Sequence, residues 1–169
     1  MNQEQVTQML RQTPLFGHLA DDTLDRALEC CETVRLARGE ALYEEGDASD
    51  AVYLLLGGCM QVYVADAVGK KYVLQMAMPG GMLGMESFVD GGGRGSSAVA
   101  DEESVLLMFS REALSGLFDS EDGLPGCDKV RSSIMCYLVS LVRHMTTLAR
   151  NLALLDVYGR VRILINQML

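Results

Sequence analysis

The sequence predicts an α+β protein in which an antiparallel β-barrel of the jelly-roll type follows short N-terminal helices and precedes one long C-terminal helix. Three observations predict this class. Residues 33–109 form short runs rich in Val, Tyr and Leu that Gly, Asp and Pro separate, as in a sandwich or barrel. Helical apolar spacing flanks this region on both sides. The 169 residues, 49% of them hydrophobic, are enough for one core with an appendage.

Two short helices are predicted at the N-terminus, over residues 2–13 and 20–31. Asp21 or Asp22 is expected to cap the free N–H groups at the start of the second helix. Together these helices make a short helical entry to the barrel.

Strands are predicted most clearly at residues 52–56, 60–64 and 72–76, where apolar side chains recur between turn residues. Gly39 and Gly46 are expected at tight barrel corners, because glycine adopts backbone conformations that other residues avoid. Further breaks are expected at residues 45–47, 57–58, 68–69, 79–81 and 91–93.

A long helix is predicted to begin near Cys127, after a shorter helix that Ser110 caps and that runs through Phe118. Its apolar residues alternate at spacings of four and three, which is typical of paired helices. They form one seam: Ile134, Leu138, Leu141, Met145, Leu148, Leu152 and Leu155. This pattern predicts a parallel homodimer, and the alternative is an amphipathic helix that packs on its own barrel. Asp156 is expected to cap a further helix over residues 157–169.

Charge and cysteine content narrow the range of functions. A net charge of −9 makes these residues a poor DNA-binding surface, because phosphate contacts need clustered Lys and Arg. The five cysteines follow no disulfide framework and no signal peptide opens the chain, so reduced thiols in the cytoplasm are expected. No apolar run is long enough to span a bilayer, and no membrane partner is expected.

Catalysis is not expected from this sequence. Ser96 and Ser97 lack a motif that pairs them with a histidine base and an orienting carboxylate. The glycines at 91–93 fit neither GxGxxG nor GxxxxGKS/T, so they are interpreted as a turn. We therefore expect a protein that is not an enzyme and has no dedicated metal site.

Longer motifs follow one another in a specific order. They are PLFGHLADDTLDRAL at 14–28, GEALYEEGDASDAVYLLLGGCMQVY at 39–63, GMESFVDGGGRGSSAVA at 84–100 and NLALLDVYGRVRILI at 151–165. In this order they resemble the CRP/FNR superfamily of bacterial transcription regulators along essentially the whole chain. The resemblance implies a sensory barrel over 1–125, a dimerisation helix over 126–155, and at 156–169 the start of a connection to a DNA-binding domain that is missing here.

Residues 84–97 occupy the position of that family's phosphate-binding segment, and we name them the cassette. The resemblance implies that a small effector, bound between barrel and paired helices, controls DNA binding. It places the effector at Gly84, Met85, Glu86, Ser87, Arg94, Gly95, Ser96 and Ser97 of the cassette and at Thr146 and Thr147 of the long helix. Arg94 matches the family's anion-binding arginine.

The cassette also departs from the cyclic-AMP-binding pattern. Met85 stands where such members carry a glutamate for the ribose hydroxyl, and Gly95 stands where they carry a serine for the phosphate. Cyclic AMP is therefore a doubtful effector. Methionines 76, 78, 82 and 85 instead favour an apolar or partly aromatic ligand.

Two alternatives stay open. Some relatives sense gases through haem, and the candidate ligands here are His144, His18 and Cys59. The second alternative is a stand-alone ligand-binding module, which regulates a partner protein and does not contact DNA. A gene that continues into a basic helix-turn-helix favours the regulator, and one that stops at Leu169 favours the module.

Overall fold

The structure is a computed structural model that describes residues 3–118 and 127–154. The chain divides into two compact units, Met1–Val130 and Arg131–Leu169. The predictions for Leu155, Asp156 and residues 157–169 fall outside the described residues, as does the side chain of Leu152.

Eight strands form two four-stranded antiparallel sheets. The first sheet has the order β1-β8-β3-β6 and the second has the order β2-β7-β4-β5. The strands are β1 (Glu32–Leu36), β2 (Ala41–Tyr43), β3 (Ala51–Gly57), β4 (Met60–Ala65), β5 (Lys71–Ala77), β6 (Met82–Leu83), β7 (Ser97–Ala100) and β8 (Ser104–Ser110). This arrangement confirms the predicted antiparallel jelly-roll barrel.

Five helices accompany the strands within the described residues: α1 (Gln3–Arg11), α2 (Asp21–Glu29), α3 (Met85–Asp90), α4 (Arg111–Phe118) and α5 (Cys127–Leu154). Ser110 caps α4 as predicted, since its hydroxyl accepts a hydrogen bond from the Ala113 N–H at 3.1 Å. Neither α4 nor α5 is long and apolar enough to cross a membrane.

The predicted cap of α2 is wrong. Ala20 occupies the N-cap position and no side chain caps the helix. Asp21 instead pairs with the Arg11 guanidinium of α1, so its carboxylate links the two helices. A favourable acid in the first turn of a helix can therefore serve a neighbouring helix rather than its own N-terminus.

The core lies between the two sheets. It includes Tyr53, Leu55 and Leu106 from the first sheet and Met60 and Ala98 from the second. β3 is buried on both faces: the intervening Val52 and Leu54 are also fully buried, pairing with Phe109 and Leu107 of β8. The Phe109 ring lies 4.6 Å from the ring of Phe16, which follows α1, so the outer face of the first sheet is covered.

Glycines with positive φ stand at the predicted breaks between strands. Gly39, Gly46 and Gly58 have φ of 88°, 91° and 88°. At Gly58 a Cβ would also collide with the backbone of Ser104, so this turn requires glycine for space as well as for conformation.

Candidate functional site

The cassette begins with α3, a six-residue helix between two left-handed glycines. Gly84 precedes the helix with φ 77°, and Gly91 ends it with φ 74° while donating its N–H to the Ser87 carbonyl. No helix was predicted here, because a helix this short shows no repeated apolar spacing. The two glycines fix where the helix begins and ends.

Arg94 points into the barrel interior. Its side chain is only 3% exposed, and its Nη1 and Nη2 atoms donate to the carbonyls of Gly84 (3.3 Å) and Ala51 (2.7 Å). The guanidinium lies 4.4 Å from the ring centroid of Tyr43 and 5.6 Å from that of Tyr53. The arginine therefore joins the cassette to β3 through neutral acceptors and aromatic faces.

The surroundings of this arginine are closely fitted. Gly84 has a φ of 77°, which favours glycine, and a Cβ there would also displace the guanidinium of Arg94. Burial raises the pKa of the Tyr53 phenol, and the charge of Arg94 opposes that rise only in part. The Arg94 Nε is buried without a partner, so the burial of the cation is incompletely compensated.

The loop at residues 44–50 is bonded to the cassette. The Gly46 N–H donates to the Arg94 carbonyl at 2.8 Å, and the Arg94 N–H donates to the Asp47 carbonyl at 2.9 Å. The Ser97 hydroxyl accepts from the Glu45 N–H at 3.0 Å. Ser97 thus serves this link, although it was predicted to contact an effector.

A second arginine, Arg111, connects the cassette to α4. Its guanidinium donates to the carbonyls of Ser87 and Phe88 in α3, each at 2.9 Å, and to the Ser49 carbonyl at 3.1 and 3.2 Å. Arg111 is the first residue of α4. A displacement of α3 would therefore act directly on the start of α4.

One row of side chains crosses the inner face of the second sheet. Tyr43 pairs with Ala98, Ala98 with Val62, and Val62 with Gln75. Along the row the side chains change from buried at Tyr43 and Ala98 to half-buried at Val62 and exposed at Gln75. The row therefore ends at the solvent-exposed neutral amide of Gln75 on the edge strand β5, next to the apolar Val62.

Carboxylates surround the cassette. Six exposed acidic residues belong either to the cassette or to the loop bonded to it: Glu44, Glu45, Asp47, Asp50, Glu86 and Asp90. The basic side chains of these two segments and of the start of α4 are Arg94 and Arg111, both bonded to carbonyls. The field at this end of the barrel opposes an anionic ligand.

The remaining predicted cassette residues are spread over different environments. Met85 and Ser87 are buried, at 0% and 4% exposure, so they pack inside the domain. Gly95 is exposed and Ser96 is half-buried. Of the four methionines considered as pocket lining, Met82 and Met85 are buried, whereas Met76 and Met78 are exposed.

Thr146 and Thr147 lie exposed on α5, in the other compact unit. Their hydroxyls donate to the carbonyls of Val142 and Arg143, one helical turn earlier, at 2.8 and 3.0 Å. Both hydroxyls are thus bonded within their own helix.

The haem-ligand candidates differ from one another in position. His18 is exposed after α1, and His144 is exposed on α5. Cys59 follows the far end of β3 from Ala51, so about 20 Å of strand separates it from the Arg94 contact. Burial raises the pKa of the Cys59 thiol, and Asp101 and Glu102 raise it further, which disfavours a thiolate ligand. In the described part of the chain, no three His, Cys, Asp or Glu side chains form a metal-binding group.

Comparison with known proteins identifies this barrel. The profile of the cyclic nucleotide-binding domain matches residues 33–121. The chain belongs to this family. Within it, the chain is close to the CRP/FNR regulators, as the order of motifs predicted.

Known relatives extend this comparison. The Cyclic AMP receptor protein of Thermus thermophilus is 32% identical over 103 residues, which are 61% of this chain and 48% of that protein. The crystal structure of the Thermus thermophilus Catabolite Activator Protein has a TM-score of 0.68 and 27% identity, over 83% of this chain and 63% of that one. The N-terminal domain of a transcriptional regulator from Streptomyces coelicolor has a TM-score of 0.64 and 25% identity, over 88% and 98%.

A relative of another kind is the Neuropathy target esterase sws of Drosophila melanogaster, 26% identical over 85% of this chain but over only 10% of its own length. The chain thus spans about half of the Thermus protein and a small part of the esterase. The relatives share a domain with this chain, and their whole activities do not transfer with it.

The residues present do not fit cyclic AMP in the way that the family pattern implies. Met85 offers no acceptor for a ribose hydroxyl and is fully buried, and Gly95 offers no hydroxyl for a phosphate. Arg94 donates to two backbone carbonyls, and exposed carboxylates lie in the cassette and in the loop bonded to it. The side chains of Arg94 and Ser97 in the cassette bond to backbone groups of the domain instead.

Sequence reasoning missed Tyr43, Tyr53, Gln75 and Arg111. The tyrosines carry a weak signal, since each is an aromatic in a strand next to a predicted corner. Gln75 is a polar residue within an otherwise apolar strand, which is a stronger signal. The sequence carries no signal for Arg111, because its contacts form only when the fold brings α3, the 44–50 loop and α4 together.

Proposed function

We propose that this chain is the effector-sensing and dimerisation region of a CRP/FNR-type transcription regulator. It would act without catalysis, as a homodimer in the cytoplasm, by passing a binding event at the barrel to a DNA-binding domain. The observation that carries this proposal is the link through Arg111, which bonds the cassette helix to the start of α4. An effector that prefers one position of α3 would thereby bias α4.

The effector site that we propose combines the cassette with the open end of the inner row, at Val62 and Gln75. A ligand there would meet an apolar wall and one neutral amide beside a rim of carboxylates. This environment favours a neutral or cationic molecule with apolar parts over cyclic AMP. Arg94 would act indirectly, by holding the cassette in place.

Native mass spectrometry of the purified chain tests this site through the ligand that it retains. Gln75→Leu removes the amide on the inner face, and Gln61→Leu is the matched control because Gln61 lies on the outer face of β4. We expect a neutral or cationic small molecule whose occupancy falls at least fivefold in the Gln75 variant and is unchanged in the control. Equal loss in both variants, or an anionic ligand, would contradict the proposed site.

A haem-sensing regulator is the second candidate, because the family resemblance includes gas sensors. Its support here is limited to His18 and His144, since the pKa of Cys59 disfavours thiolate ligation. An absorbance spectrum of the chain as purified decides this question: a Soret band that His144→Ala shifts would favour haem over the neutral effector.

The stand-alone module is the third candidate, and it differs from the regulator only in its partner. The net charge of −9 supports the view that these residues do not themselves hold DNA. We expect fluorescence anisotropy with a labelled duplex to show no binding by this chain at low salt. Tight binding would contradict the proposal that a separate domain, and not these residues, binds DNA.

A further inference from the structure

A groove lies between helices α1 and α2, away from the cassette, and we name it the helix groove. It consists of two adjoining cavities of about 590 Å³ and 410 Å³, which share Gln3 of α1 and Asp25 of α2. Leu107, which lies on the same face of β8 as Phe109, also lines the smaller cavity. Cavities of this size accommodate small molecules.

The two cavities differ in polarity. Every side chain that lines the larger one is polar or charged. The smaller one contains an apolar cluster of Val6, Leu28 and Leu107, and the thiol of Cys31 lies beside it. This thiol donates to the Leu28 carbonyl at 3.1 Å, and burial raises its pKa, so it is neutral at neutral pH and adds to the apolar surface. The helix groove is therefore amphipathic.

The charges that line the helix groove are mainly negative. Glu4, Asp25 and Glu29 contribute three exposed carboxylates. Arg11 is the base among the described lining residues, and the Asp21 carboxylate and a backbone carbonyl already hold its guanidinium. Within the described part of the chain, no base forms an ion pair with the three lining carboxylates. The field in the helix groove therefore favours a cation.

We propose that the helix groove binds a small organic amine, with its apolar chain against Leu28 and Leu107 and its ammonium beside Asp25. Asp25 lines both cavities, so it stands where the apolar part of the groove meets the polar part. Leu28 and Asp25 are three residues apart in α2, a spacing that places them on the same face of the helix. This site is separate from the proposed effector site, and either one can fail without the other.

Titration calorimetry with three probes of equal chain length tests the chemistry of the site. We expect n-octylamine to bind with a dissociation constant of about 1 mM or below, and octanoate to bind about tenfold more weakly. Neutral n-octanol should fall between them. The preference for the amine should diminish in high salt, because the carboxylates are exposed and screening weakens their attraction.

Two substitutions separate the charged contact from the apolar one. Asp25→Asn should weaken n-octylamine binding about fivefold and leave n-octanol binding unchanged. Asp101→Asn is the matched control, because it removes the same charge from an exposed position outside the helix groove. Leu28→Ala should weaken both probes, and circular dichroism checks that this variant is folded.

Protection of Cys31 from alkylation locates the bound amine. At mildly alkaline pH, saturating n-octylamine should slow iodoacetamide modification of Cys31 by about threefold or more, because the chain covers the thiol. Cys59, which does not line the helix groove, is the reference within the same sample and should react at an unchanged rate.

Three results would each overturn the proposal. The first is equal affinity for n-octylamine and octanoate, which would mean that the carboxylates do not select the ligand. The second is an equal loss of n-octylamine binding in the Asp25 and Asp101 variants, which would indicate a general effect of net charge. The third is unprotected Cys31 at saturating n-octylamine, which would place the amine elsewhere.

Discussion

The barrel and the long helix differ in how far their apolar side chains are buried. In residues 3–118 the large hydrophobic side chains are mostly packed between the sheets or beneath the helices, whereas in residues 131–154 Met135, Val139, Val142 and Leu154 are exposed. The charges differ as well, since residues 3–118 carry 18 acidic and 8 basic side chains and residues 131–154 carry three arginines and no acid. The barrel thus covers most of its large apolar side chains within one chain, whereas α5 leaves several of them exposed to solvent.

Core truncation gives the largest expected contrast between the two regions. Phe16 is fully buried against Phe109, so Phe16→Ala should lower the free energy of unfolding of the barrel by about 3–5 kcal/mol. Val142→Ala, at an exposed position of α5, should change it by less than about 0.5 kcal/mol. Urea denaturation followed by circular dichroism measures both, and similar costs for the two variants would refute the contrast.

Arg94 extends the comparison to a charged side chain inside the barrel. Because it is buried and donates to two backbone carbonyls, it is expected to stabilise the fold as a core residue does. Arg94→Ala should cost about 2–4 kcal/mol, since it leaves the carbonyls of Gly84 and Ala51 without a donor. Arg94→Met retains the packing of the stem and should recover part of that loss. A loss below about 0.5 kcal/mol would indicate an arginine that serves a ligand instead of the fold.

The sequence was sufficient to predict the strands of the barrel, but it did not predict the direction in which the Arg94 side chain points. Strand alternation and glycine breaks are local signals, and they placed β3, β4 and β5 nearly to the residue. The guanidinium direction depends on Tyr43 and Tyr53, which lie far from Arg94 in sequence and meet it only in the folded barrel. The spacing on α5 predicts one apolar seam, whereas the structure shows that further apolar side chains, Met135 and Val142, are exposed outside it.

Substitution of Arg111 tests whether the cassette and α4 move together. Arg111→Ala removes the bonds to Ser87 and Phe88 and should cost about 1–2 kcal/mol, because the side chain is only half-buried. Hydrogen exchange should quicken in α3 and in the first turn of α4, with the amides of β8 unchanged. Faster exchange throughout the barrel would mean a general loss of stability rather than a broken link.

Cysteine reactivity is expected to give the smallest effect. Because burial and the nearby acids raise the pKa of Cys59, little thiolate is present at neutral pH, and alkylation should accelerate only as the pH rises well into the alkaline range. Cys136 on α5 is exposed and serves as the comparison. Peptide mapping after brief iodoacetamide treatment at pH 7 should find Cys136 modified before Cys59, and the reverse order would contradict the described environment.

Titration calorimetry with cyclic AMP tests most directly the claim that Arg94 bonds to backbone carbonyls of the barrel and that the cassette does not hold a cyclic nucleotide. Adenosine is the matched probe, because it keeps the base and ribose and lacks the charged phosphate. The account predicts a dissociation constant for cyclic AMP above about 100 µM and no tighter than that for adenosine. A submicromolar constant for cyclic AMP that Arg94→Met abolishes would contradict it.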